Sequence, residues 1–254
     1  MMSEALAGRG VLVTGASSGI GRAIALGVAR AGADVALTYR SNRAGADAVA
    51  REIEALGRTA CVQPLDLADE PSIDRLGGAV QAALGRLDVW INNAGADILT
   101  GPSASLSTVQ KLDLLLAVDL RGTILASWAA ARFFEGQPGG AIINMSWDHV
   151  VSGMPGTNPQ MFAAVKGGVA AFSRALARSV APRVRVNVLA PGWIETSFGE
   201  GLDTEVHRSV AASTPLGRWG TPDDVAGAAV FLASPAAGFI TGQTIMVGGG
   251  VVMG

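Results

Sequence analysis

Short apolar runs of β type alternate along this chain with longer stretches of helical pattern, which argues for a parallel sheet covered on both faces. The pattern predicts strands at residues 10–14, 34–39, 59–65, 87–92, 141–145, 184–189 and 244–247. Helices are expected at about 20–31, 44–56, 71–84, 109–134, 160–180 and 222–232. Gly57 reads as a helix stop, and Pro71 stands where a first helical turn tolerates it. Neither an internal repeat nor a low-complexity tract interrupts the alternation. The expectation is an α/β fold, a single doubly wound domain over residues 1–254 with seven parallel strands flanked by helices.

Composition narrows the class. The chain has 254 residues, 49% apolar and 16% charged, enough to bury a sizeable core and unlike a disordered segment. A net charge of −2 gives no electrostatic reason to expect nucleic acid or an anionic membrane as partner. Cys61 is the only cysteine, which excludes an intrachain disulfide and a cysteine metal cage, and no metal is expected. Residues 1–10 carry Glu4 and Arg9 and do not read as a secretory signal. The apolar stretch 112–131 is broken by Asp113, Asp119 and Arg121, so it is not expected to span a bilayer. The reading is a soluble, cytoplasmic protein.

Chemistry enters with the glycines. Thr14-Gly15-Ala16-Ser17-Ser18-Gly19-Ile20-Gly21 follows the first strand and opens a helix. Glycines there let the backbone turn tightly and approach a pyrophosphate, which rests on the free N–H groups of the helix start. Asn92-Asn93-Ala94-Gly95 follows the fourth strand, and Phe162 stands four residues before Lys166. Together these segments resemble the short-chain dehydrogenase/reductase (SDR) family, through nearly the whole chain to Gly242-Gln243. The resemblance implies a Rossmann-type fold, a nicotinamide cofactor and a homo-oligomer, dimer or tetramer. It places cofactor contacts at Gly15, Ser17, Ser18, Gly19, Ile20 and Gly21, at Asp66 and Leu67, and at Asn93, Ala94 and Gly95. It adds Lys166 and the segment Pro191, Gly192, Ile194 and Thr196, and a mobile substrate lid at about 195–215 with Gly199 and Gly201. The long helices at 109–134 and 160–180 would pair across subunits, through faces that include Ala129, Ala130, Phe133, Ala171 and Phe172, although core packing explains these residues equally well.

The choice of cofactor turns on the end of the second strand. NAD specificity usually needs a carboxylate there, and the chain has Tyr39, Arg40 and Ser41 instead. Arg40 suits a 2′-phosphate, so NADP(H) is favoured over NAD(H); the alternative is an ordinary solvated charge.

At the reacting end the chain departs from the family. The resemblance implies a serine that polarises a carbonyl, a tyrosine that donates the proton, a lysine and a helix asparagine. The matching positions hold Trp147, Phe162, Lys166 and Asp119, and the interval from Trp147 to Phe162 is about two residues longer than the family's. Phenylalanine has no exchangeable proton, and general acid–base help is worth about 10²–10⁴ in rate. Candidates to replace the donor are Asp119, Asp148, His149 and Lys166 itself. Asp148 and His149 read equally well as solvated loop residues, and Asp119 as a partner of Lys166 or Arg121. A cationic iminium substrate needs no proton and would be stabilised by a carboxylate at Asp119 or Asp148. Trp147, Met154, Met161, Phe162, Trp193 and Phe198 predict an apolar substrate pocket, with core or subunit contacts as the other reading. The functional expectation is an NADP(H)-dependent oxidoreductase acting on a hydrophobic, cyclic carbonyl or imine. The alternative is a nucleotide-binding homologue without redox activity.

Overall fold

A computed structural model describes residues 4–200 and 202–253, with the backbone alone for Phe198 and Glu200. In chain order the main elements are β1 (Gly10–Val13), α1 (Gly19–Arg30), β2 (Asp34–Tyr39), α2 (Arg43–Ala55), β3 (Ala60–Pro64), α3 (Glu70–Leu84) and β4 (Val89–Asn92). They continue with α4 (Thr108–Leu115), α5 (Thr123–Glu135), β5 (Gly140–Met145), α6 (Thr157–Val180) and β6 (Val184–Pro191). The last are α7 (Ser197–Glu200), α8 (Thr204–Ser213), α9 (Pro222–Ala233) and β7 (Thr244–Val247). The strands form one sheet in the order β3-β2-β1-β4-β5-β6-β7, with each neighbouring pair parallel. This is the expected doubly wound α/β arrangement. Its order reverses between β1 and β4, where such sheets bind ligands beyond the strand C-termini.

Successive strand side chains point to opposite faces, and the core divides accordingly. Val11, Val13, Val35, Leu37, Ile91 and Ile143 pack under α1, α2 and α9. Leu12, Ala36, Trp90, Ile142 and Val186 pack on the other face under α3, α5 and α6. Because both faces are covered, the strands are apolar at successive positions instead of alternating with polar ones. Local chemistry sets several helix ends. Asp69 accepts a hydrogen bond from the Ser72 N–H at the start of α3, and Gly85 ends that helix in a left-handed turn with φ 75°. Thr221 and Asp224 form a reciprocal capping box around Pro222 at the start of α9.

The expected helix at 109–134 is an unbroken run, Thr108–Glu135, but it contains a π-helical turn from Leu116 to Gly122. An 18-residue window of this run reaches a mean hydropathy of 1.4, so length and composition alone would let it cross a membrane despite its charges. More than half of that window is buried inside the protein, as in a core helix. Ala129 and Ala130 belong to this buried face, not to the outer face proposed for subunit pairing, and Phe133 packs over Gly77. Trp128 is the exposed aromatic of α5, edge-on to Phe172 of α6 at 6.0 Å.

A buried polar network ties the sheet to the helices that carry the candidate site. Asn92 Nδ2 donates to Asn144 Oδ1 at 2.8 Å and to Ser127 Oγ at 3.1 Å. Asn144 Nδ2 donates to Ser173 Oγ at 2.9 Å. These bonds link β4 and β5 to α5 and α6, and each buried amide gains partners that offset its lost hydration. At the other end of the sheet, Asp88 accepts from Arg9, Arg86 and the Gly10 N–H. Burial alone would raise the Asp88 carboxyl, but its hydrogen bonds and the Arg86 charge hold it below the usual carboxylate value.

Candidate active site

The turn after β1 is fixed by main-chain bonds. Thr14 Oγ1 accepts from the N–H groups of Asn93 and Ala94, each at 3.0 Å, and Asn93 Nδ2 donates to the carbonyls of Thr14 and Gly15. Gly15 adopts φ 63°, and a Cβ there would lie 2.8 Å from the Ala94 Cα. A Cβ on Gly21 would lie 2.3 Å from the Gly15 carbonyl oxygen, so the helix start and the turn touch backbone to backbone. The Ser18 side chain makes no capping bond at the start of α1, which leaves the first-turn N–H groups open toward the cleft. That donor set fits a pyrophosphate.

The cleft has a volume of about 690 Å³. Of the expected cofactor residues, Gly15, Ser17, Ser18, Ile20, Gly21, Arg40, Ser41, Asp66, Leu67, Asn93, Ala94, Gly95 and Thr196 line it. Gly19 is absent from that wall but adopts φ 54° within the turn. Sequence reasoning missed Thr38 and Asn42, which also line the cleft. Thr38 Oγ1 accepts from the Gly15 N–H, and Asn42 caps α2 through the Gly45 N–H. A polar residue at the end of an apolar strand was the available signal for Thr38.

A second, mostly apolar pocket of about 500 Å³ meets the cleft at Ile20, Asn93, Phe162 and Thr196. Trp147, Met154, Phe162, Trp193, Lys166, Pro191, Gly192 and Ile194 line it. Met161 does not; it packs with Ile98, Leu115 and Val165 in a small core beneath α6. Trp147 lies edge-on to Phe162 at 6.3 Å and stacks on His149 at 5.0 Å, and His149 meets the edge of Trp193 at 6.3 Å. Ser146 is not left free: its hydroxyl donates to the Lys166 carbonyl at 2.9 Å.

The solvated-loop reading of Asp148 and His149 is overturned. Asp148 is fully buried, and its Oδ1 lies 2.6 Å from His149 Nδ1. Among the described residues its Oδ2 has no hydrogen-bond partner, and it is wedged against Gly192 and Gly248, where a Cβ would come within 2.4 Å and 2.2 Å. Neither Asp148 nor His149 is part of the pocket wall. Asp119 does pair with Lys166, Oδ2 to Nζ at 2.8 Å, while its Oδ1 accepts from the Ala96 N–H. Arg121 pairs instead with Glu70. Both carboxylates are thus already paired, Asp119 with Lys166 and Asp148 with His149.

A glycine-bearing turn at the switch point of a parallel sheet, beside an apolar pocket, has clear relatives. Residues 15–252 match the family model described as enoyl-(acyl carrier protein) reductase. An uncharacterized oxidoreductase of Methylorubrum extorquens is 39% identical over 253 residues, covering 97% of this chain and 98% of that protein. A 3-oxoacyl-(acyl-carrier-protein) reductase of Synechocystis is 38% identical over 253 residues, covering 98% and 99%. The crystal structure of a short-chain dehydrogenase from Burkholderia cenocepacia in complex with NADP superposes with a TM-score of 0.87 at 34% identity, covering 97% and 98%. The chain belongs to the short-chain dehydrogenase/reductase family.

The segment expected to form the lid of this SDR protein contains α7 and α8. His207 of α8 stacks on Trp219 at 4.7 Å and lies 2.7 Å from the Gly199 carbonyl oxygen through Nε2. Trp219 meets Trp193 at 5.4 Å, so a chain of rings links α8 to the pocket wall. Gly201 and the Phe198 side chain lie outside the described residues.

Proposed function

We propose that this SDR oxidoreductase uses NADP(H) and acts on a hydrophobic, cyclic carbonyl or imine, at a site where the usual phenolic proton donor is replaced by hydrocarbon. The observation that carries the reading is the junction of cleft and apolar pocket at Ile20, Asn93, Phe162 and Thr196. A ligand in the pocket would thereby lie against the cleft rather than apart from it. When bound, the nicotinamide cofactor supplies or accepts the hydride.

The residues divide the work by chemistry. The N–H groups at the start of α1 hold pyrophosphate, and the glycines let it approach. Arg40 and Ser41 supply a cation and a hydroxyl at the end of β2, where no carboxylate opposes a 2′-phosphate. Trp147, Met154, Phe162 and Trp193 exclude water from the substrate and favour a broad apolar body. Exposed Trp128 and the neighbouring Phe172 support pairing of subunits through α5 and α6, which an equilibrium sedimentation measurement would test.

Fluorescence titration with NADPH and NADH, followed by stopped-flow oxidation against cyclic ketones and cyclic imines, tests the reading. Saturable NADPH binding with oxidation by either class supports it. Binding without oxidation by any substrate would turn the assignment toward a nucleotide-binding homologue without redox activity.

A further inference from the structure

Among the described residues, the wall of the apolar pocket carries a single titratable side chain, Lys166. Its Nζ is 2.8 Å from Asp119 Oδ2, and the two side chains are 12% and 2% exposed. Four residues earlier on α6, Phe162 offers only a ring, so no phenol intervenes between lysine and substrate. Of the chain's 19 basic residues only Lys111 and Lys166 are lysines. An arginine would hold a charge at this place but would not release its proton; a lysine can do both.

We propose that Lys166 is itself the proton donor of this enzyme, with Asp119 as the positioning residue that aims the ammonium. The proposal rests on the oxidoreductase reading above. An N–H bond of the ammonium breaks as an O–H bond forms on the developing alkoxide oxygen of the substrate. The electron pair of the broken bond stays on Nζ, leaving a neutral amine, and a proton from water restores the ammonium.

Asp119 is built to hold that aim. Its Oδ1 is held by the Ala96 N–H at 2.7 Å, and a Cβ on Gly95 would lie 2.8 Å from Oδ2, so the carboxylate sits in a slot without room to turn away. The π-helical turn Leu116–Gly122 carries it, a local winding found often at functional sites. Held at 2.8 Å from this carboxylate, Nζ stays in place while a proton from water restores the ammonium. A purely structural ion pair would need the lysine charge and nothing more.

Lys166→Arg separates the two roles because it keeps the charge and withholds the proton. The expected result is a kcat lower by about 10²–10⁴ at saturating NADPH, with NADPH affinity read separately by fluorescence so that a loss of cofactor binding is told apart from a loss of proton transfer. Asp119→Asn, which keeps the shape but not the charge that aims the ammonium, should lower kcat while leaving KM for the substrate within about threefold, and Asp119→Glu should recover part of the loss. A kcat for Lys166→Arg within about threefold of the unaltered protein would overturn the proposal. So would an Asp119→Asn variant that keeps the kcat of the unaltered protein. Failure of the unaltered protein to bind NADPH would show instead that the oxidoreductase reading is wrong, and the donor assignment would fall with it.

Discussion

In the cofactor cleft the contacts that set the shape run to main-chain atoms, through Thr14, Thr38 and the side-chain amide of Asn93. Around the apolar pocket the shape is set by ring against ring, through Phe162, Trp147, His149 and Trp193. Backbone contacts admit little variation, because a Cβ at Gly15 or Gly21 has nowhere to go. Ring contacts tolerate exchange as long as volume is kept. The cleft is therefore constrained by geometry, and the apolar pocket is free to change its chemistry. Such a division is what lets one fold serve many substrates.

Restoring the family pattern in the pocket should produce the largest effect. The double change Trp147→Ser with Phe162→Tyr should raise turnover of cyclic ketones by about 10²–10³, measured as steady-state NADPH oxidation. Phe162→Tyr alone should gain less than about tenfold if the Trp147 indole fills the seat of the carbonyl. An equal gain from the single change would show that Trp147 does not occupy that seat.

Next comes the backbone contact in the other half. Gly21→Ala would place a Cβ 2.3 Å from the Gly15 carbonyl oxygen and should weaken NADPH binding on the order of 100-fold by fluorescence titration. Retained affinity would mean that the turn can widen, and the contrast between the halves would lose its basis. Arg40→Ala should be milder, raising the Kd for NADPH about tenfold and leaving that for NADH unchanged. An equal loss for both cofactors would remove Arg40 from phosphate recognition.

A control outside both halves should show the smallest effect. Asp88 is held below its ordinary value in the folded protein, so its contribution to stability is present above the unfolded carboxylate value. It is lost as pH falls from about 4 through the lower, folded value. Asp88→Asn should therefore flatten the decline of Tm below about pH 4 while leaving NADPH binding at neutral pH untouched. An unchanged acid limb would remove Asp88 from the linkage.

Much of this molecule was legible in advance. The strand runs and the glycine turn predicted the sheet and the cleft because both depend on local pattern: apolar runs for strands covered on two faces, and glycine where backbone must meet backbone. Asp148 and His149 were not legible in the same way. Their burial depends on Gly192 and Gly248, which lie 44 and 100 positions beyond Asp148 and leave room for its carboxylate. Met161 and Ala129 failed as a pocket residue and a surface residue because a helix pattern tells which positions share a face, but not what covers that face. The membrane question was similar: the charges at Asp113, Asp119 and Arg121 argued against a span, but length and mean hydropathy alone would allow one, and the packing around the helix is that of a core helix.

By itself the sequence determined the doubly wound sheet, the glycine turn after the first strand and the phenylalanine four residues before Lys166, since each is written in residues close together in the chain. Only the tertiary structure decided that Asp119 holds Lys166, that Asp148 is buried against Gly192 and Gly248, and that cleft and pocket meet at Phe162. Those facts depend on which charges and rings are brought together from distant segments, and distance along the chain carries no record of that.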